Sequence, residues 1–451
     1  MKQLLERTLS AINADYAEVR IEQTTLTTIV YQGPELEKMS TVLTLGGSVR
    51  ACVKGGWGFA AFTRLDDAVE AARDAEIMAR LSAGERTVLA PVPPVDADHT
   101  WRGGTHPRDI SLAEKRDVIK GYNDIMLSAD GIVTTNAVYR DVERAAWIQT
   151  SDGSSVHREN VYSGVSLSAV AKDGSNVQRG RKSIGDQRGF GNVLGLEGEV
   201  EKVIKTTRDL IRAPKVQGGR YDIVLDPELA GVFAHEAFGH LSEADFIYEN
   251  PQARDMMKLG RRFGPDFLNI IDDGGMTGEN GDMPYDDEGV AARKTLLLQD
   301  GILVGRLHSR ETAGKMGEEP TGNARAIDVS SRPIVRMTST YIDNGDSPFE
   351  EIISDVKDGI YACGFLGGMT DMERFTFSSA HAYRIENGRI TEPVRDVILS
   401  GNLFETMHNI TAIGDDIVIN GGLGGCGKGG QSPLPVSDGS PHIRIKDVLV
   451  G

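Results

Sequence analysis

Apolar residues recur at helical spacing over residues 2–13, 65–82, 111–128 and 196–212, which predicts four helices in the first half of the chain. Between them the pattern changes to short apolar or alternating runs, at 16–31 with 41–63 and again at 132–150 with 155–172, which predicts two strand pairs. The order helix, strands, helix therefore occurs twice, as in a weak internal duplication, although no marked sequence identity accompanies it.

The segment RAPKVQGGR, residues 212–220, closes the fourth helical pattern with a proline and two glycines before a new apolar strand, YDIVLD. A domain boundary is expected there, giving an N-terminal α/β domain over 1–215 and a C-terminal β-rich domain over 216–451. The second half opens with one helical pattern, PELAGVFAHEAFGHLSEADF, where Leu229, Val232 and Phe233 recur at i, i+3 and i+4. Mostly strands follow it: LNIID, TLLLQDGILVGRL, IVRMTSTYI, FTFSSAHAYRIENGRI, DVILSG and IVING, with one more helix at 348–358. The pattern is that of an α+β protein whose C-terminal half is an antiparallel sheet or barrel-like body carrying one special helix.

Composition sharpens this picture. At 451 residues the chain exceeds what a single core usually organises, and its 53 glycines fall largely between short apolar runs, as hairpins and bulges require. A formal charge of −17 without any Lys/Arg-rich block argues against direct nucleic-acid binding. No apolar run of 18 residues and no leader-like N-terminus is present, so a cytoplasmic protein without membrane contact is expected. Three cysteines, Cys52, Cys363 and Cys426, form no disulfide framework; Cys52, in SVRACV, reads as a buried apolar residue.

The chemistry concentrates in His235-Glu236-Ala-Phe-Gly-His240. In the H-E-x-x-H zinc motif the histidines stand about 40° apart around a helix and share one metal, with the glutamate activating water. Here the spacing is i, i+5, about 140° on a regular α-helix, which separates the two rings. Either a wider π-type turn or helix termination near Gly239 would bring them back together.

A second unusual stretch, GGLGGCGKGG at 421–430, matches G-x-G-x-x-G and nearly matches a P-loop. A dinucleotide fingerprint must open a helix and a P-loop needs Ser or Thr after the lysine, whereas here the chain continues KGGQSPLPVSDGSP, which cannot be helical. What remains is a thiol in a tight glycine turn after the strand IVING. Cys426 is then either a buried structural thiol or the third ligand beside His235 and His240 of a catalytic-type zinc site, with Lys428 an electrostatic neighbour. The basic run Arg254, Lys258, Arg261 and Arg262 reads as a solvated helix face or as a carboxylate site. The acidic loop from Asp272 to Glu288 lacks the calcium-loop pattern and reads as solvated or as support for the metal site.

At these residues the sequence resembles the TldD/PmbA family of metallopeptidases, also called modulators of DNA gyrase, and its TldD-like branch. GVFAHEAFGHLSEADF is similar to that branch's metal helix and GGCGKGGQSPLPV to its cysteine loop. DDEGV, PTGNAR, RMTSTYI, GIYACGFLGGMTD and SSAHAYRIENGRIT extend the resemblance over nearly the whole chain. The resemblance implies one zinc per chain held by His235, His240 and Cys426, with Glu236 as the catalytic glutamate, and cleavage of unfolded or extended peptides in a shielded cavity. It also implies a homodimer, or a heterodimer with a PmbA/TldE-like subunit. Ala326 stands where many relatives have a second basic residue after PTGNAR, and Cys363 matches no ligand position and reads as packing. Two other readings stay open: a non-catalytic partner subunit of a related peptidase, and a regulator acting on DNA gyrase through a protein partner.

Overall fold

The computed structural model describes residues 1–84 and 87–451. All the strands before residue 187 belong to one sheet, ordered Gly56–Phe62, Glu35–Val53, Tyr16–Gln32, Ile132–Thr150 and Ser155–Asp173, with Asn176–Asp186 and the short Asp96–His99 both on the last of these. The long pairings are antiparallel and follow the expected strand pairs. The expected strand 41–63 is instead two strands joined by a tight turn in which Lys54 and Gly55 both have positive φ.

Helices cover this sheet at two separate cores. The helix Ala68–Leu81 buries Ala68, Ala71, Ala72, Ala75 and Ala79 against Val19, Ile21, Val49 and Ala51. It lies so close that a Cβ at Gly56 or Gly58 would run into its backbone, which is why alanine and glycine face each other here. The helices Leu112–Ser128 and Glu197–Arg212 bury Ile119, Val200 and Val203 against Ile29, Tyr139, Val165 and Leu167.

The C-terminal half contains a closed barrel. Gly219–Leu225 pairs with Asp358–Asp371, which pairs with Arg374–Glu386, then Ile398–Asn402, then Ile443–Val450, which returns to Gly219–Leu225. A second sheet of six strands includes Ile270–Asp273, Ser339–Ile342, Val418–Asn420 and Ser437–Ser440. The helix Pro227–Ala234 packs on Ser437–Ser440 and against the barrel strand Asp358–Asp371. It approaches so closely that a Cβ on Gly231 would stand 2.9 Å from the Gly439 nitrogen. The fold is thus α+β in two domains, an α/β unit and a β-rich unit with a barrel.

The acidic loop is largely buried: its Asn280 donates to the Gly422 carbonyl of the glycine-rich stretch at 3.0 Å, as support for the site would, while its acidic end meets the other domain. Asp286, Asp287 and Glu288 are buried where the two domains meet. Asp287 lies 3.1 Å from Arg20 and 2.6 Å from Arg158, both on the N-terminal sheet, and Glu288 pairs with Arg50. Burial works against the Asp287 charge, but Arg158, Arg20 and Arg144 outweigh it and hold the carboxyl far below the usual range. Asp286 instead accepts backbone N–H groups from Glu288, Val290 and Ala324, and burial raises its pKa. Ala326 is fully buried beside them and donates its N–H to Asp287.

Candidate metal centre

The expected single helix from residue 227 onward is broken into three turns of different pitch. Asp226 caps it by accepting from the Leu229 N–H at 2.9 Å, and Pro227 occupies the first turn, where no backbone donor is needed. The α-helix runs to Ala234, a π turn spans His235–Gly239, and a 3₁₀ turn spans His240–Ser242 before a new helix, Ala244–Glu249. In the π turn the His240 N–H bonds to the His235 carbonyl, so the fifth residue returns to the face of the first. The two imidazole rings stand 5.0 Å apart, centroid to centroid, at 89°. Gly239 stays in right-handed helical conformation, so it does not end the helix. It is needed because a Cβ there would overlap Met337 Sδ.

The glycine-rich stretch is the other half of the site, and its glycines have three distinct reasons. Gly421 and Gly422 are pressed against Gly185, Asn280 and Ser183, and a Cβ on Gly425 would strike the Leu434 carbonyl. Cys426–Lys428 then pairs with Gln431–Leu434 across a two-residue turn in which Gly429 and Gly430 both have positive φ, as a tight hairpin requires. Arg336 donates to the Cys426 carbonyl at 2.7 Å and to the Gln431 carbonyl at 3.2 Å, which fixes the hairpin from below. The stretch is therefore a hairpin that carries the Cys426 thiol, and not a glycine loop opening a helix as a phosphate cradle requires.

His235, His240 and Cys426 each bring one donor atom to a common point, all within 4.8 Å of one another. Cys426 Sγ lies 3.4 Å from His240 Nε2. Tetrahedral zinc with ordinary zinc–nitrogen and zinc–sulfur bond lengths spaces such a pair by about 3.6 Å, so the donor set fits that ion. Each histidine has a carboxylate behind it: Glu243 Oε2 is 2.9 Å from His240 Nδ1, and Asp438 Oδ1 is 2.7 Å from His235 Nδ1. The Glu243 contact is a hydrogen bond, while Asp438 lies off the N–H direction and acts as a charge contact. Both leave Nε2 free for a metal, the arrangement metal-binding histidines commonly use. Lys428 ties the hairpin to the helix, 2.6 Å from Asp245 and 3.2 Å from Glu243.

Electrostatics in the metal-free site follow from this packing. Burial opposes ionisation of Cys426, but the charge of His235 and hydrogen bonds from both histidines outweigh it and bring the thiol down to about 5. Burial also opposes charge on the histidines. Asp438 and Cys426 nevertheless raise His235, and hydrogen bonds to Cys426 and Glu243 raise His240 to about 9. These directions favour a thiolate beside protonated imidazoles, whose protons a divalent cation would displace.

Glu236 is half-buried at the centre, with a cavity on each side. One, of about 300 Å³, is lined by His235, Cys426, Val232, Phe365 and Leu366; the other, of about 420 Å³, is lined by His240, Leu241, Phe246, Met369 and Lys428. The remaining sequence candidates lie elsewhere. Arg254, Lys258, Arg261 and Arg262 are exposed and bond to neighbouring carbonyls or to Asp255, as a solvated face does. Cys52 and Cys363 are buried apart from the cluster. Sequence reasoning missed Glu243 and Asp438; only the spacing H-L-S-E, which lets Glu243 reach back to His240, carried a local signal.

Residues 218–451 match the PmbA/TldA metallopeptidase C-terminal domain, residues 105–211 the central domain and residues 17–79 domain 1 of the same group. The chain belongs to the PmbA/TldD metallopeptidase family. A Synechocystis metalloprotease is 45% identical over 97% of this chain and 95% of its own length. A zinc metalloprotease TldD homologue of Saccharolobus solfataricus is 28% identical over 98% and 97%. The PmbA/TldD fold is shared with a Thermotoga maritima protein described as a modulator of DNA gyrase (TM-score 0.80, 19% identity, all of both chains). It is shared also with TldE from Thermococcus kodakarensis (TM-score 0.78, 19% identity, 100% and 99% covered). Among the described residues no helix is long and apolar enough to cross a membrane.

Proposed function

We propose that this chain is a zinc-dependent peptidase acting on extended or unfolded peptides, with one zinc held by His235, His240 and Cys426 and with Glu236 as the catalytic carboxylate. The observation that carries this reading is the convergence of three metal-type donors from residues 235, 240 and 426 beside a carboxylate that borders open cavities on both sides. When bound, zinc supplies Lewis-acid polarisation of the scissile carbonyl and acidifies water. Glu236 is placed to take a proton from that water on a carboxylate oxygen and to hand it to the departing amine. Asp438 and Glu243 hold the two imidazoles in one orientation throughout.

Substrate is positioned by a sheet edge. The strand Asp358–Asp371 pairs with Gly219–Leu225 over Gly359–Ala362, and among the described residues no strand pairs with that edge from Gly364 onward. Phe365 and Leu366 on that stretch line the cavity beside His235, and Met369 lines the one beside His240. An extended peptide added to this edge crosses the metal centre and is held by main-chain hydrogen bonds, with little dependence on its side chains. The domain division at 215/216 assigns the metal chemistry to the second unit and a cover to the first. A cytoplasmic, reducing setting keeps the Cys426 thiol available, and a homodimer or a pair with a TldE-like chain would shield the cavity.

The test is Glu236→Gln. It is expected to bind zinc as the wild type does and to lose hydrolysis of an unstructured peptide by roughly 10²–10⁴-fold. Full activity in this variant would remove Glu236 from the mechanism.

A further inference from the structure

The cavity beside His235 has walls from both domains. Phe365 and Leu366 come from the barrel strand, while Arg181 and Ser183 come from Asn176–Asp186, the last strand of the N-terminal sheet. That strand pairs with Ser155–Asp173 along one edge, and among the described residues no strand pairs with its other edge. It is fixed to both halves of the metal centre. Lys182 Nζ lies 2.6 Å from Glu228 on the metal helix, and Ser183 Oγ accepts the N–H of Leu423, three residues before Cys426, at 2.9 Å. The backbone at Arg181 is therefore held in place on the cavity wall by its two neighbours.

The Arg181 guanidinium has no partner inside the protein. It is exposed, makes no ion pair or hydrogen bond among the described residues, and is the only basic side chain on this cavity besides His235. Of the acids around it, Glu228 is engaged by Lys182 and Asp438 by His235. A guanidinium carries five N–H donors and no acceptor, so Arg181 brings free donors to the cavity.

An extended peptide needs such donors on its far side. Successive residues of a strand point their main-chain N–H and C=O groups to alternate edges, so a peptide added to the barrel strand beyond Gly364 satisfies one set there and leaves the other set facing away. Within a cavity those outward carbonyls are cut off from bulk water and call for a donor from the protein. The wall from the N-terminal sheet supplies one at Arg181.

We infer that Arg181 is a substrate-positioning residue of the metal centre, its guanidinium donating to main-chain carbonyl oxygens of the bound peptide on the His235 side. The inference rests on the peptidase reading above and deepens it. The N-terminal domain is then one jaw of the site as well as its cover, and because every residue has a carbonyl the contact is independent of peptide sequence.

The experiment uses two unstructured heptapeptides blocked at both ends, one of neutral residues and one with a single central glutamate. Binding is read by calorimetry on full-length Glu236→Gln protein with and without Arg181→Gln, and hydrolysis on the wild type and on Arg181→Gln. Arg181→Gln is expected to weaken binding of both peptides by about tenfold or more, and to raise KM by a similar factor while kcat stays within about threefold. Zinc content should stay at the wild-type level, since no contact within the protein is removed. Arg181→Lys, which keeps a cationic donor, should recover binding to within about threefold of the parent. Unchanged binding of the neutral peptide in Arg181→Gln would overturn the inference, and so would a loss confined to the glutamate peptide, which marks side-chain ion pairing. Hydrolysis by the wild type with KM unchanged in Arg181→Gln would overturn the contact while leaving the peptidase reading in place. Binding of both peptides that depends on Arg181, with no hydrolysis by the wild type, would support the contact and contradict the peptidase reading.

Discussion

Cys426 Sγ and His240 Nε2 lie 3.4 Å apart although 186 residues separate them in the chain. Neither residue is placed by its own neighbours alone. A π turn that rotates His240 back toward His235 and a glycine hairpin held by Arg336 must both form before the two atoms meet. The site is therefore a product of the whole C-terminal domain, with the N-terminal sheet pressing on the glycine loop.

Metal uptake should depend on pH in a direction the site fixes. In the metal-free protein, His235 and His240 are raised, His240 to about 9, so both carry protons near neutrality, while Cys426, lowered to about 5, carries none. Coordination requires neutral imidazole, so zinc binding expels about two protons at pH 7. Apparent affinity is expected to rise from pH 6 to about 9 and to fall more steeply below about 5, where the thiolate also takes a proton. Chelator competition across this range checks it; an affinity flat between pH 6 and 9 would contradict the charge assignment.

The carboxylate behind His235 should matter although it touches no substrate. Asp438→Asn removes the charge 2.7 Å from Nδ1 and is expected to weaken zinc binding by about 10–100-fold. Competition titration measures this directly. Unchanged affinity would show that ring orientation comes from packing alone.

At the domain junction, Asp287→Asn leaves Arg20 and Arg158 buried without their shared counter-ion. A loss of about 3–5 kcal/mol in unfolding free energy is expected, read from urea denaturation. A change under about 1 kcal/mol would mean that Glu288 and the nearby carbonyls suffice to neutralise the cluster.

Much of this was legible in the residues, for reasons that differ along the chain. Helices such as Leu112–Ser128 and Glu197–Arg212 have one apolar face over one core, and their periodicity marked them within a residue or two. The strand Asn176–Asp186 escaped because its buried contact to the helix Glu197–Arg212 is made by Gly180, where a Cβ would strike Thr207, and not by a large apolar side chain. The barrel strand Asp358–Asp371 was hidden by its glycines, which fit a bulge and a bare edge better than an alternating pattern. At the metal centre the i, i+5 spacing itself called for an irregular turn, so His235, His240 and Glu236 could be placed before any coordinates. Asp287 could not: its meaning depends on arginines more than 120 positions away, and an acidic run looks the same whether it meets water or guanidinium.

The central claim is that the glycine hairpin is a ligand hairpin, and metal content tests it most directly. Wild-type protein and Cys426→Ser, purified without chelators and resupplied with zinc, are compared by elemental mass spectrometry. About one zinc per chain is expected in the wild type, with a clear loss in the variant, since a three-donor site loses its thiolate. Equal zinc in both proteins, or none in the wild type, would contradict the account.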